Sequence, residues 1–151
     1  MLAGLDILIP TAIFLERKLS FFESLIDYPR EVYGLSFRQI AALLGRDQRN
    51  VWTIYSRAAK KRKGLPFQEP YARSNIFFPL SVIKNGLLDK LSPLEAVAQY
   101  LSTKGLQNHE IAGFLGRSSK TIWTVIDRAR KKAAVARKQG GKFRQRGGLD
   151  E

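Results

Sequence analysis

The chain has no cysteine and a single histidine among its 151 residues. Disulfides and any zinc site built from thiolates are therefore excluded. The lone imidazole, His109, has no second histidine with which to share a metal, and it reads as a surface residue. Acidic side chains are scarce, with 13 Asp and Glu against 26 Lys and Arg. No carboxylate pair comes with a nucleophile or a Gly-rich phosphate loop, so nothing points to an enzyme, a cofactor or a small-molecule ligand. No apolar run approaches the roughly 20 residues of a membrane span. The opening MLAGLDILIPTAIFLERK is interrupted by Asp6 and Pro10 and lacks a basic leader, so it does not read as a secretory signal. The expectation is a cytoplasmic protein without a membrane partner.

What the chain has in excess is positive charge. The net charge is +13, and it divides as +5 over 1–66, +5 over 67–135 and +3 over 136–151. Charge of this size calls for a polyanionic partner, with nucleic acid first and an anionic membrane surface second.

The chain also repeats. Residues 35–61 (LSFRQIAALLGRDQRNVWTIYSRAAKK) align without a gap on 106–132 (LQNHEIAGFLGRSSKTIWTVIDRARKK), with 12 identities in 27 positions. Random pairing would give about two. The internal duplication predicts two small units, 1–66 and 67–135, each near the lower size limit for an independent core. In each repeat an apolar-periodic segment stops at a glycine, Gly45 or Gly116, and a second begins after a good N-cap, Asp47 or Ser118. Two short helices joined by such a turn are the sequence pattern of a helix-turn-helix. Helix two is expected over Ser36–Leu44 and Gln107–Leu115, and helix three over Gln48–Lys61 and Ser119–Ala134.

Ahead of each pair lies another repeated pattern. ILIPTAIFL at 7–15 and IFFPLSVI at 76–83 each place a proline in a short apolar stretch, read as an extended or turn segment leading into a helix. LSFFESLIDY at 19–28 and LSPLEAVAQY at 91–100 then begin with Ser20/Glu23 and Ser92/Glu95, which fit a capping box, and Pro93 suits a first helical position. Their apolar faces (Phe22, Leu25, Ile26; Leu94, Val97, Ala98, Leu101) are expected to cover the helix pair that follows. The Gly64–Pro70 stretch reads as a short linker. From about Ala136 the sequence RKQGGKFRQRGGLDE is poor in apolar residues and is expected to be disordered when free. Nothing calls for a sheet. The predicted fold is all-α: two tandem three-helix helix-turn-helix units and a disordered basic C-terminal tail.

In a helix-turn-helix the early residues of the second helix reach base edges. Here they are Gln48, Arg49, Asn50 and Thr53, and in the second repeat Ser119, Lys120, Thr121 and Thr124. Arg49 suits guanine, and Gln48 or Asn50 suits adenine, at about 1–3 kcal/mol of discrimination each. Lys120 and the hydroxyls are less selective. Phosphate contacts are expected from Arg46 and Arg117 in the turns, from Trp52 and Trp123, and from Arg57, Lys60, Lys61, Arg128, Lys131 and Lys132 along the basic helix ends. Each assignment has a plainer counterpart. A solvated helix face needs no DNA, the tryptophans can cover the edge of their own core, and basic residues favour a helix C-terminus through its dipole. The tail, with Arg137, Lys138, Lys142, Arg144 and Arg146, suits a non-specific nucleic-acid arm.

The repeated L-S/Q-x-x-E/Q-I-A-x-x-L-G-R-S/D-x-x-T/N-I/V-W-T-x-x-x-R-A-x-K-K pattern resembles the helix-turn-helix of the C-terminal, promoter-reading domain (region 4) of bacterial sigma factors. It is also similar to the DNA-binding domains of response regulators. The paired architecture resembles a group of uncharacterised archaeal proteins with tandem sigma-like units. The resemblance covers about 27 residues in each half and implies double-stranded DNA as partner, a role in transcription regulation and a nucleoid-associated location. No counterpart of the polymerase-binding or promoter-melting regions of sigma factors is present, so the expectation is DNA reading rather than sigma activity. Rival expectations are a non-specific architectural protein, an adaptor that contacts RNA polymerase or another transcription protein, and an RNA binder that depends on the tail.

Overall fold

The structure is a computed structural model, and it describes residues 6–15, 18–63, 76–86 and 90–147, with side chains as far as 138. It is mostly helical. In chain order come β1 (Leu8–Pro10), a 3-10 helix (Thr11–Leu15), α1 (Phe21–Tyr33), α2 (Phe37–Leu44), α3 (Gln48–Lys61), β2 (Phe77–Pro79), α4 (Ser81–Gly86), α5 (Pro93–Thr103), α6 (Asn108–Leu115) and α7 (Ser119–Gly147). The expected linker at 64–70 lies outside the described residues. No described helix is long and apolar enough to cross a membrane.

The helix boundaries follow from local chemistry. Ser20 accepts a hydrogen bond from the Glu23 amide at 3.2 Å while Glu23 accepts one from the Ser20 amide at 2.8 Å, so the capping box forms at α1. Ser36 and Gln39 do the same at α2. At α5 only half of the box forms: Ser92 caps the Glu95 amide, and the Glu95 carboxylate accepts from Lys132. Asp47 and Ser118 cap α3 and α7 through the amides of Arg49 and Thr121. The preceding glycines, Gly45 and Gly116, both stand at φ +66°, the left-handed conformation that glycine adopts without steric cost. Each α2–α3 and α6–α7 turn therefore closes on one helix and opens the next within three residues.

Helices α1, α2 and α3 pack together, and α5, α6 and α7 do likewise. Leu25, Ile26, Ile40, Leu44 and Val51 are buried in the first group, and Val97, Leu101, Ile111, Leu115 and Ile122 in the second. Phe22 and Leu94 are only half-buried at its edge. All of these belong to one contiguous apolar cluster, which Ile9, Phe14, Phe78 and Ile83 join across the middle of the molecule.

Two expectations from composition are corrected. First, a sheet exists: β1 and β2 pair antiparallel, Leu8 opposite Pro79, Ile9 opposite Phe78 and Pro10 opposite Phe77. The two Pro-containing segments are extended, as their sequence suggests, but three-residue strands are too short to show a period of two. Second, the backbone of α7 runs on to Gly147 instead of giving way to a disordered tail near Ala136. Ala133, Ala134, Ala136, Arg137, Lys138 and Gln139 are strong helix formers, and they carry the helix into the Gly-Gly pair at a cost of about 1 kcal/mol for each glycine.

The sheet pairing has a simple symmetry. The Pro10 and Pro79 segments correspond to each other in the repeat, so each strand is hydrogen-bonded to its own counterpart, with Ile9 facing Phe78 at the centre. The flanking bonds are reciprocal. The Thr11 amide donates to the Ile76 carbonyl at 3.1 Å, and the Leu80 amide donates to the Ile7 carbonyl at 2.9 Å. The elements that follow cross over in both directions: the 3-10 helix of the first half packs on α6 of the second, and α4 of the second packs on α2 of the first. An approximate two-fold axis runs between Ile9 and Phe78.

Candidate nucleic-acid interface

Along α3 and α7 the residues facing away from the core repeat at helical spacing. Gln48, Arg49 and Asn50 are exposed at the start of α3, and Ser119, Lys120 and Thr121 at the start of α7. One turn further on, Thr53 and Thr124 are half-buried, and their hydroxyls donate to the carbonyls of Arg49 and Lys120 at 2.9 and 3.1 Å. A hydroxyl tied to its own helix is a poorer base reader than a free one. These two threonines are thus the weakest members of the expected base-reading set. Arg49 and Lys120 hold the most forward basic positions.

The tryptophans stand clear of the core. Trp52 is 55% exposed and Trp123 is 62% exposed, at matching positions one turn beyond Arg49 and Lys120. Neither covers the edge of its own apolar cluster in the way that Phe22 does. Burying an indole face against a ligand recovers hydrophobic free energy that the free protein forgoes.

The basic residues divide into two groups. Arg57, Lys60, Arg117 and Arg128 are exposed, and so is Lys131, although its ammonium lies 3.0 Å from Asp127 on the same helix. Others are tied to a carboxylate of the first helix while still reaching solvent. Lys61 pairs with Glu23 at 2.7 Å, and Lys132 pairs with Glu95 at the same distance. The two pairs are equivalent in the repeat: each anchors the end of the third helix to the N-terminus of the first. Burial pushes the Glu23 carboxyl up, but its bonds to Lys61 and Ser20 outweigh this and hold it below the usual carboxylate range. Arg46 lies over the Phe22 ring at 5.2 Å and is half-buried. Arg117 has Leu94 in place of that ring and points to solvent.

The structure thus brings Gln48, Arg49, Asn50, Trp52, Arg57 and Lys60 onto the outer surface of α3. It places Ser119, Lys120, Thr121, Trp123, Arg128 and Lys131 equivalently on α7. It sets Lys61, Lys132 and Arg46 against the body of the protein. Sequence reasoning missed this division because their partners, Glu23 and Glu95, lie more than 35 residues away. It also missed Asp127, which occupies the position of Ser56 and puts a negative charge on the otherwise basic face of α7.

A second charged cluster lies behind the first face. The Arg62 guanidinium bridges Asp27 at 2.9 Å and Glu31 at 3.1 Å, and Tyr55 donates to Glu31 at 2.5 Å. Asp27 is fully buried, and burial raises its carboxyl above the usual range in spite of Arg62. The cluster joins α1 to the end of α3. A clue was present in the repeat itself: Asp27, Glu31, Tyr55 and Arg62 align with Gln99, Thr103, Ile126 and Ala133, so the charges change together.

Among the described residues no group of His, Asp and Glu is arranged to hold a metal ion. Comparisons with protein-family models, with curated proteins and with solved structures found no match.

Proposed function

We propose that this chain binds double-stranded DNA through two helix-turn-helix units, with α3 and α7 as recognition helices in successive major grooves, and that it acts as a transcription regulator at the nucleoid. The observation that carries this reading is the repeated exposed face. On both third helices a capped start presents polar and basic side chains, then an uncovered tryptophan, then a basic end. A helix N-terminus that presents donors suits base edges and phosphates together, and the net charge of +13 supplies the long-range attraction.

In this reading Gln48, Arg49 and Asn50 read one half-site, while Ser119, Lys120 and Thr121 read a less discriminating one. Arg57, Lys60, Arg117, Arg128 and Lys131 contact phosphates, and Trp52 and Trp123 pack on the sugar-phosphate backbone. Lys61 and Lys132 each tie the third helix of their own unit to its first helix and contribute little to binding.

The test is competition of unlabelled duplexes against a bound fluorescent duplex at about 150 mM salt, where non-specific binding is already weak. Sequence-dependent competition, with Arg49→Ala losing discrimination by about 1–3 kcal/mol, is the expected result. Equal competition by every sequence would favour a non-specific architectural protein, a reading supported by the basic length of α7.

A further inference from the structure

We infer that the DNA target is an inverted repeat with one degenerate arm, and that a single chain reads both arms about one axis. This rests on the DNA-binding reading above and adds the orientation of the site. Two tandem heads facing in the same sense would match a direct repeat. The way the halves are joined says otherwise.

β1 pairs antiparallel with its own counterpart, and the register centres on Ile9 and Phe78. An antiparallel pairing of equivalent strands, with equivalent residues opposite each other at its centre, is the signature of a two-fold relation, the isologous contact of a symmetric dimer. The flanking hydrogen bonds from Thr11 to Ile76 and from Leu80 to Ile7 exchange under the same rotation. So do the two crossovers, the 3-10 helix onto α6 and α4 onto α2. At the α6–α7 turn the crossover is close: a Cβ built on Gly116 would lie 3.2 Å from the Phe14 carbonyl. The turn that aims the second recognition helix is therefore set against the first half.

Two modules that dock on DNA in the same manner impose on their sites the operation that relates the modules. A two-fold axis maps one duplex strand onto the other and yields an inverted repeat, as in operators read by helix-turn-helix dimers, with arms one helical turn apart or a multiple of it. Here both heads belong to one chain and differ: Gln48-Arg49-Asn50 at one and Ser119-Lys120-Thr121 at the other. One arm is therefore defined and the other loose.

The experiment is selection of bound duplexes from a random library by the full chain at about 150 mM salt, in parallel with a variant carrying Ser119→Gln, Lys120→Arg and Thr121→Asn. These three positions are exposed, and the variant keeps the Ser118 cap on the backbone amide of position 121, giving up only the hydroxyl contact between Ser118 and Thr121 at 2.8 Å. The expected result is two blocks in inverted orientation about 10 base pairs apart, one sharper than the other, with the variant converting the site to a symmetric palindrome. A designed duplex with the arms inverted should then bind at least about tenfold tighter than one with the same arms in direct order, equivalent to losing roughly one specific base-pair contact. Two blocks in direct order, or a single block unchanged by the variant, would overturn the inference while leaving DNA reading in place. No enrichment, with binding that disappears as salt rises, would overturn both.

Discussion

The two halves of this protein solve one packing problem with different chemistry. In the first, α1 is held to the end of α3 by a polar cluster: buried Asp27, with Glu31 and Tyr55 nearer the surface, gathered around Arg62. In the second, the same positions carry Gln99, Thr103, Ile126 and Ala133, and the contact between α5 and α7 is largely apolar, with Ile126 and Ala133 buried. The halves agree in the turn glycines, the ion pairs Lys61–Glu23 and Lys132–Glu95, and the outward tryptophans. They diverge wherever two partners can change together. The frame is therefore set by caps, turns and shape, and the charged cluster is one of two acceptable fillings.

The largest expected effect separates those fillings. Arg62→Ala leaves Asp27 buried without its cation and should cost about 3–5 kcal/mol in chemical denaturation. Installing the whole second-half set, Asp27→Gln, Glu31→Thr, Tyr55→Ile and Arg62→Ala, should be nearly neutral or stabilising by about 1–4 kcal/mol. If the fourfold variant is as unstable as the single one, the halves are not interchangeable fillings of one frame.

A smaller effect is expected at the seam. Gly116→Ala must keep a left-handed φ and place its methyl against the Phe14 carbonyl, so thermal unfolding should report a loss of about 1–3 kcal/mol. An unchanged melting temperature would show that the first half does not press on this turn.

Acid titration gives two slopes of opposite sign. The Glu23 carboxyl is held below its ordinary value of 4.5, so its contribution is present above that pH and is lost on acidification. Glu23→Gln should therefore be destabilising near neutrality, with the difference from the parent shrinking below about pH 4.5. Asp27 is held above its ordinary 3.8, so protonation favours the folded state and its contribution falls as pH rises through that range. The stability difference between parent and Asp27→Asn should accordingly shift in favour of the asparagine as pH rises from about 3 to 7. Parallel pH dependences for the two variants would contradict these assignments.

The smallest effect distinguishes the committed lysines from the free ones. Lys60→Ala should reduce the slope of log affinity against log salt by about 0.9, as expected for one lost phosphate contact. Lys61→Ala should change that slope much less and appear mainly as lost stability, because its ammonium already faces Glu23. Equal slopes would mean that Lys61 leaves Glu23 when DNA binds.

Much of this arrangement was legible in the residues. The caps at Ser20, Asp47 and Ser118, the glycine turns and the buried positions from Leu25 to Ile126 follow from spacing alone, because each depends on contacts within a few residues. The outward placement of Trp52 and Trp123 follows from their position beside Val51 and Ile122. The β1–β2 pairing and the crossed packing were not legible, since they join segments about 70 residues apart through strands too short to carry a pattern. The pairing of Lys61 with Glu23 and of Lys132 with Glu95 was hidden for the same reason. The extension of α7 shows helix propensity prevailing over a composition that reads as disordered.

In the DNA-binding reading proposed above, the two third helices present equivalent faces to one duplex. Hydroxyl-radical footprinting of the full chain on a selected duplex tests it most directly. Two protected windows on one face of the DNA, about 10 base pairs apart, are expected, with Arg49→Ala weakening one and Lys120→Ala the other. A single window, or uniform protection that both variants reduce alike, would contradict it.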